Sequence, residues 1–98
     1  MTIAQTILNQ LGGNKFLVMT GAKTLVSHEH GLSFRLPANF AKNKINCVKI
    51  TLDSNDLYTV EFIYIRGINM TAVAVHDDIY ADMLQELFTS VTGLDTHL

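Results

Sequence analysis

The sequence predicts an α+β fold: a two-layer sandwich in which a curved antiparallel sheet of about four or five strands packs against an N-terminal and a C-terminal amphipathic helix. Two observations lead to this prediction. Apolar residues recur at helical spacing near both ends of the 98-residue chain, and apolar and polar residues alternate along two central segments. One-sided helices and a one-sided sheet bury their apolar surfaces by packing as two layers. The length fits a single domain over residues 1–98.

The N-terminal helix is predicted over residues 2–11, where four apolar residues lie at helical spacing: Ile3, Ile7, Leu8 and Leu11. Thr2 is the candidate N-cap, and Gly12-Gly13-Asn14 ends the helix. The run KFLVMTGAK that follows is too short for its periodicity to separate a strand from a helix. Its length and flanking glycines favour a strand broken at Gly21, and a helical extension over residues 15–23 is the open alternative.

The stretch SHEHGLSFRLP, residues 27–37, predicts a β-hairpin. Gly31 suits the left-handed position of a three-residue loop over residues 29–31, and LSFRL alternates behind it. This register gives two cross-strand pairs: His28 with Leu32 and Val26 with Phe34. His28 and His30 could form half of a metal site, but the turn separates their side chains and zinc needs further ligands. No second group of ligands follows at a fixed spacing, so we expect no metal.

Two central segments, INCVKITL and LYTVEFIYI, alternate and form the clearest hairpin. A two-residue Ser54-Asn55 turn would mix their apolar and polar faces. A three-residue loop over residues 54–56 keeps the faces apart and predicts five cross-strand pairs: Leu52–Tyr58, Ile50–Val60, Val48–Phe62, Lys49–Glu61 and Thr51–Thr59. We choose the three-residue loop because a one-residue slip would expose the whole apolar set.

The C-terminal part is predicted to contain a short strand, TAVAV, followed by a helix. The helix is expected to begin at Asp77 or Asp78, either of which can cap it, and to end at Gly93. Its apolar stripe comprises Ile79, Tyr80, Met83, Leu84, Leu87, Phe88 and Val91. Three acidic residues are expected on the opposite side, where they would form a negative stripe: Asp78, Asp82 and Glu86.

Charge is distributed unevenly along the chain, although its net value is −2. Residues 1–50 contain six basic residues and one acidic residue, whereas residues 51–98 contain one basic and eight acidic residues. An asymmetry of this kind indicates an interaction surface, and two solvated faces are the simpler interpretation. The candidate binding residues are Arg35, Lys42 and Lys44 on the basic side and Asp78, Asp82 and Glu86 on the acidic side.

Catalytic and cofactor motifs are absent from the sequence. Cys47 is the only cysteine, which excludes an internal disulfide, and no histidine lies near it in sequence to activate a nucleophile. No nucleophile elbow, phosphate-binding glycine loop or dinucleotide fingerprint occurs. The N-terminus lacks the pattern of a signal peptide, and no apolar run is long enough to span a bilayer. We therefore expect a cytoplasmic, non-enzymatic protein that carries no cofactor and does not enter a membrane.

The polar side of the predicted sheet contains more apolar residues than a solvated surface needs. Cys47, Ile63 and Ile65, with Ile45, are predicted to lie there. We expect either a covering segment, such as residues 15–26, or a homodimer that buries these side chains.

Four stretches of the sequence resemble a family of small uncharacterised proteins of bacteriophages, prophages and related mobile elements: GGNKFLVMTGAK, LSFRLP, KNKINxVKITLxxNDLYxVEFxYIRG and YADMLxELFxxxTGL, with x at positions outside the pattern. The resemblance covers nearly the whole chain, whereas HEHG lies outside it. It implies no activity, cofactor or catalytic residue. It does imply action in the cytoplasm of a bacterial host, where small phage proteins commonly bind other macromolecules stoichiometrically.

These observations lead to one functional hypothesis and one alternative. The chain is predicted to be a phage-type accessory protein that binds a host or phage protein, and inhibition of a host defence is one form that this binding would take. Phe40, near Lys42 and Lys44, supports the alternative, a nucleic-acid-binding protein of phage replication or recombination. Grooves for single strands combine cations with stacking aromatic side chains.

Overall fold

The α+β prediction is confirmed by a computed structural model, which describes residues 2–37 and 44–94. In chain order the elements are α1 (Ile3–Leu11), α2 (Asn14–Thr20), β1 (Lys23–His28), β2 (Gly31–Arg35), β3 (Cys47–Leu52), β4 (Tyr58–Arg66), β5 (Asn69–Ile79), a single-turn 3-10 helix (Ala81–Met83) and α3 (Leu84–Thr92). The strands form one antiparallel sheet in the order β1-β2-β3-β4-β5. One core joins the two layers, and the helices contribute Ala4, Ile7, Leu11, Phe16, Leu84 and Phe88 to it.

The segment after α1 is a second helix and not the strand that its sequence favours. Phe16 and Thr20 of α2 are fully buried, whereas Val18 between them is 82% exposed. The two buried residues are four positions apart, which is the spacing of one helical face. Gly21 ends the helix in the left-handed conformation, with φ at 69°. Packing of Phe16 into the core therefore determined the helical conformation of a segment whose local sequence pattern was ambiguous.

α2 and α3 end with the same six-residue pattern, Phe-x-x-x-Thr-Gly, at residues 16–21 and 88–93. In both copies the threonine hydroxyl donates to the phenylalanine carbonyl oxygen at 2.7 Å and accepts from the amide two residues later at 3.2 Å. Each buried hydroxyl thus satisfies main-chain groups at a helix end, where intrahelical partners run out. The phenylalanines of the two copies pack edge to face, with ring centroids 5.2 Å apart.

The predicted register of the β3–β4 hairpin is confirmed in all five pairs. The Asp53 amide donates to the Leu57 carbonyl oxygen at 2.8 Å, which closes a three-residue loop over residues 54–56. The Asp53 carboxylate also accepts from the amides of Asn55 and Leu57, at 2.8 and 3.1 Å. Asp56 takes the left-handed conformation, with φ at 61°. A left-handed residue at the third loop position is the usual geometry of such a connection.

The β1–β2 hairpin turns one residue earlier than predicted. His28 pairs with Gly31, so the loop contains two residues, Glu29 and His30, where three were expected. Gly31 therefore lies within β2, and a Cβ at this position would collide with the main-chain oxygen of Ile50 on β3. Glycine is needed here because two backbones approach closely, and not because of a left-handed turn. The predicted pairs are wrong, and their replacements are His28–Gly31 and Val26–Ser33.

β5 is longer than the predicted strand and contains both aspartates that were expected to cap a helix. Its last residue, Ile79, is buried opposite Tyr58 of β4. Asp77 and Asp78 are therefore strand residues, and the predicted start of the helix is wrong. α3 begins at Leu84, after the 3-10 turn. β5 extends to Ile79 because β4 is long, and the β4 backbone offers hydrogen-bond partners to β5 along nearly its whole length.

Two side-chain hydrogen bonds join the C-terminal end of α1 to the other elements. The Tyr58 hydroxyl on β4 donates to Gln10 Oε1 at 2.8 Å, and Gln85 Nε2 on α3 donates to the Leu11 carbonyl oxygen at 2.9 Å. The helices α1, α2 and α3 are short. None of those formed by residues 2–37 and 44–94 has the length and apolar character needed to cross a membrane.

Gly31→Ala is expected to lower the free energy of unfolding by about 1–3 kcal/mol or more, because the added methyl group overpacks two paired strands. Urea denaturation followed by circular dichroism measures the change. Ser33→Ala on the same strand is the control, and we expect its effect to stay below about 1 kcal/mol. Equal losses in the two variants would contradict the close approach of β2 and β3 at Gly31.

Candidate functional site

One end of the sheet collects basic side chains that are far apart in sequence. Lys23 begins β1, Arg35 ends β2, Lys44 lies three residues before β3, and Arg66 ends β4. They come together because each antiparallel strand reverses the direction of the one before it. We call these four residues the basic end.

Lys23 and Arg35 lie directly opposite each other on β1 and β2. Like charges at opposed positions of two strands destabilise a sheet. The two residues line an open hollow of about 310 Å³, together with Thr24, Leu36 and Asn46. Lys23 is exposed and Arg35 is half-buried. The sheet thus holds two cations together at a concave, solvent-accessible place.

The cations of the basic end have no acidic partner among the residues that the structure describes. Across residues 2–37 and 44–94, the one close contact between an acidic and a basic side chain joins the Glu29 carboxyl and the His30 imidazole, whose atoms are 3.8 Å apart. That exposed contact lies in the β1–β2 turn, at the other end of the sheet. The positive potential of the basic end is therefore not neutralised by a described carboxylate, and it can attract an anionic surface.

Asn46 holds the basic end together, and the sequence analysis did not identify it. Its side chain donates from Nδ2 to the Ile65 carbonyl oxygen at 2.9 Å and accepts at Oδ1 from the Ile65 amide at 2.8 Å. Its main-chain oxygen accepts from the Leu36 amide at 2.9 Å and from Arg35 Nε at 3.2 Å. One residue thus connects β2, β3 and β4 and orients the Arg35 guanidinium. A single asparagine in an apolar stretch carries no periodic signal that could have revealed this role.

Of the three basic residues predicted to bind a partner, the structure places Arg35 and Lys44 at the basic end. Lys44 is exposed and takes the left-handed conformation, with φ at 61°. Lys42 and the candidate stacking residue Phe40 lie outside the described residues. Lys23 and Arg66 were not predicted, because only the pairing of the strands brings them to the same end.

The acidic stripe predicted for a single helix is wrong. Asp78 belongs to β5, Asp82 to the 3-10 turn and Glu86 to α3. All three are exposed, and Asp78 has a positive φ of 57° at an irregular strand end. Residues on three different elements do not form the ladder of neighbours that one helix would give.

The end of the sheet opposite the basic end is acidic. Its carboxylates come from the β1–β2 turn, the β3–β4 loop and the end of β5: Glu29, Asp53, Asp56, Asp77 and Asp78. The Asp77 carboxylate accepts a hydrogen bond from the Thr59 hydroxyl at 3.2 Å. We call this group the acidic end. The imbalance between two halves of the sequence has become a separation of charge between two ends of one sheet.

The apolar residues predicted on the second face of the sheet are mostly buried within a single chain. Ile45 is fully buried in the main core, so the predicted homodimer surface that includes it is wrong. Cys47 and Ile63 pair across β3 and β4 and are each 8% exposed, and Ile65 is half-buried. The predicted cover, residues 15–26, instead supplies α2 to the core layer and β1 to the sheet.

The side chains considered for catalysis or metal binding are held in structural contacts. Burial raises the pKa of the Cys47 thiol, and the Arg35 guanidinium lowers it by a smaller amount. Reactive cysteines need a lowered pKa, so Cys47 is a packed residue. His28 Nε2 lies 2.8 Å from the Ser33 hydroxyl on the exposed hairpin. In the part of the chain that the structure describes, no three His, Cys, Asp or Glu side chains gather as a metal site requires.

Comparison of the chain with protein-family models, with curated proteins and with solved structures finds no match in any of the three. The resemblance to phage and prophage proteins accordingly stays a prediction. The interpretation of the basic end rests on its own geometry and charge.

Asn46→Ala is expected to lower the free energy of unfolding by about 1–3 kcal/mol, because it leaves the main-chain groups of Ile65 without their side-chain partner. Thermal or urea unfolding measures the loss. Asn55→Ala, in the exposed β3–β4 loop, is the matched control and should change stability by less than about 0.5 kcal/mol. A loss no larger than that of the control would contradict the bridging role of Asn46.

Stability is expected to fall as the pH rises above the ordinary pKa of a thiol. Burial raises the pKa of the Cys47 thiol above 9.0 and that of the Tyr58 phenol above 10.0. In this range the unfolded chain releases protons that the folded chain retains, so a rise in pH favours unfolding. Urea unfolding from neutral pH to about pH 10 measures the slope. Cys47→Ala should reduce the loss of stability at the lower end of this pH range, where the thiol ionises. An unchanged dependence of stability on pH would exclude a contribution of the thiol.

Proposed function

We propose that this protein is a phage-type accessory protein that binds a host or phage protein stoichiometrically, and that its basic end receives an acidic surface of that partner. The observation that carries the proposal is the Lys23–Arg35 pair. These two cations lie opposite each other in the sheet, and no described carboxylate contacts them. A bound anionic surface would offset their mutual repulsion and contribute to both affinity and orientation.

The chemistry of the hollow suits a carboxylate side chain. Arg35 donates from Nε to the Asn46 carbonyl oxygen, and its two terminal amino groups form no hydrogen bond with a described residue. A guanidinium held in this way can donate two parallel hydrogen bonds to one carboxylate. Lys23 and the hydroxyl-bearing Thr24 line the same hollow and supply further polar contacts. An aspartate or glutamate on the partner is therefore the group that we expect at this place.

Two features favour a protein over nucleic acid as the partner. The hollow is lined by Lys23, Thr24, Arg35, Leu36 and Asn46, so no described aromatic ring offers a stacking surface there. The cations are also confined to one end of the sheet, and the opposite end is acidic. A nucleic-acid-binding domain usually carries positive charge over a whole face. A protein surface of mixed charge matches this dipolar arrangement better, because it can use both ends for orientation.

The phage setting and the host cytoplasm belong to the same proposal and rest on the four resembling stretches of sequence. Stoichiometric binding without chemistry agrees with the structural contacts of Cys47 and of the histidines. Inhibition of a host defence is one outcome of such binding. The proposed binding surface rests on charge and geometry alone. It therefore suits a partner from the host as well as one from the phage.

The experiment is capture of partners from nuclease-treated bacterial lysate, followed by binding measurements with the purified partner. Lys23→Glu should weaken the partner's affinity by about tenfold or more, which corresponds to about 1.4 kcal/mol. Lys15→Glu on α2 is the control, because it changes the net charge equally at an exposed position that does not line the hollow at Lys23 and Arg35. Isothermal titration calorimetry then gives the affinity and the stoichiometry.

A partner whose affinity falls equally in both variants would contradict the basic end as the binding surface. Nucleic acid is the competing outcome. If the captured proteins disappear after nuclease treatment, and single-stranded DNA binds with an affinity that falls steeply with salt, the alternative replaces this proposal.

A further inference from the structure

β5 is an unpaired edge strand of the sheet. Among the described strands it pairs only with β4, so the outward main-chain groups of its eleven residues have no strand partner. Natural edges are usually blunted by lysine, proline or short length. The sequence of β5, NMTAVAVHDDI, contains no lysine, arginine or proline. Its two negative charges lie together near one end.

The other edge strand, β1, has the features that usually protect an edge from pairing with another strand. It has six residues and begins with Lys23, and its pairing with β2 is irregular between Lys23 and Val26. Thr24 in that interval has a positive φ of 54°. β5 also contains irregularities, one of which leaves Val73 without a partner on β4. Even so, β5 exposes two large apolar side chains: Met70 at 65% and Val75 at 52%.

Met70 and Val75 point to the same face of the sheet. They pair with Ile65 and Glu61 of β4, which are four residues apart and therefore lie on one side of that strand. In an antiparallel pairing of β5 with a second β5, the register that sets Met70 opposite Val75 brings the two apolar side chains together twice. A two-fold axis between the strands makes both contacts equivalent.

The same register keeps like charges apart. Antiparallel pairing reverses one copy, so Asp77 and Asp78 of one strand lie at the opposite end of the strand pair from Asp77 and Asp78 of the other. The strand is thus self-complementary in its apolar positions, and its carboxylates do not oppose each other.

We infer that this protein forms a two-fold homodimer in which the β5 strands of two copies pair antiparallel, with Met70 of each opposite Val75 of the other. The two sheets then form one continuous sheet of ten strands. The inference does not depend on the proposed function. Its consequence for that function is that the two hollows at Lys23 and Arg35 lie far apart, at opposite corners of the joined sheet.

Sedimentation velocity of the full chain at increasing micromolar concentration tests the dimer. We expect a mass twice that of the chain, and Val75→Lys should shift it to the mass of one chain because it places a charge against Met70. Val18→Lys is the matched control, since Val18 is also exposed and apolar but lies on α2. Circular dichroism checks that both variants keep their fold.

Cysteine cross-linking tests the register independently. Met70→Cys and Val75→Cys are prepared separately, each with Cys47→Ala to remove the native thiol. A mixture of the two should form a disulfide-linked dimer under mild oxidation, whereas each variant alone should not, because opposed residues fall in the range of Cα separations that a disulfide spans. A monomer at every concentration overturns the inference. A dimer that survives Val75→Lys, or that fails to cross-link in the mixture, also overturns it.

Discussion

Three phenylalanine rings connect the helices to the sheet. Phe16 of α2 packs edge to face against Phe34 of β2 and Phe88 of α3, at centroid distances of 5.3 and 5.2 Å. Phe34 and Phe88 complete the triangle at 6.2 Å. Such pairs contribute about 0.5–1.5 kcal/mol each beyond the burial of their area. α2 depends on this cluster most, because a helix of seven residues is not stable by its own hydrogen bonds.

The same cluster determines where the basic end lies. Side chains alternate along a strand, so burial of Phe34 turns the next residue, Arg35, to the other face of the sheet. The register of β2 then sets Arg35 opposite Lys23, and Asn46 completes the arrangement by binding main-chain groups on both sides. A packing requirement inside the molecule therefore positions two like charges on its surface, at the place proposed to receive a partner of opposite charge.

Segregation of charge is the feature that links the fold to the proposed function. In the sequence, basic residues precede acidic ones; in the sheet, antiparallel pairing sorts them to two ends. The described residues thus form a small dipolar molecule with an open hollow at its positive end. Pairing of two copies through β5 would present two such hollows on one sheet. A partner with repeated acidic sites would then bind with an avidity greater than the affinity of either site.

The local sequence pattern was sufficient to predict the elements in which apolar and polar residues lie on separate faces. The β3–β4 hairpin was predicted to the residue, because a slip by one position would expose Val48, Ile50 and Phe62. The N-terminal helix was also recognised from its spacing and its N-cap, Thr2, whose hydroxyl accepts from the Gln5 amide at 3.1 Å. For the candidate site, Arg35 was identified on a strand and Lys44 in the loop that follows it, but nothing in the sequence showed which cations they would join.

By itself the sequence determined the α+β class, the central hairpin and the uneven charge, because these follow from residue spacing within short segments. Only the tertiary structure decided that residues 14–20 are a helix, that β5 continues through Asp77 and Asp78, and that Gly31 lies in a strand. Each of these depends on a distant partner: the Phe34 and Phe88 rings, the long β4 strand, and the Ile50 carbonyl. The basic end belongs to the same group, since Lys23, Arg35 and Arg66 come to one end of the sheet only when the strands pair.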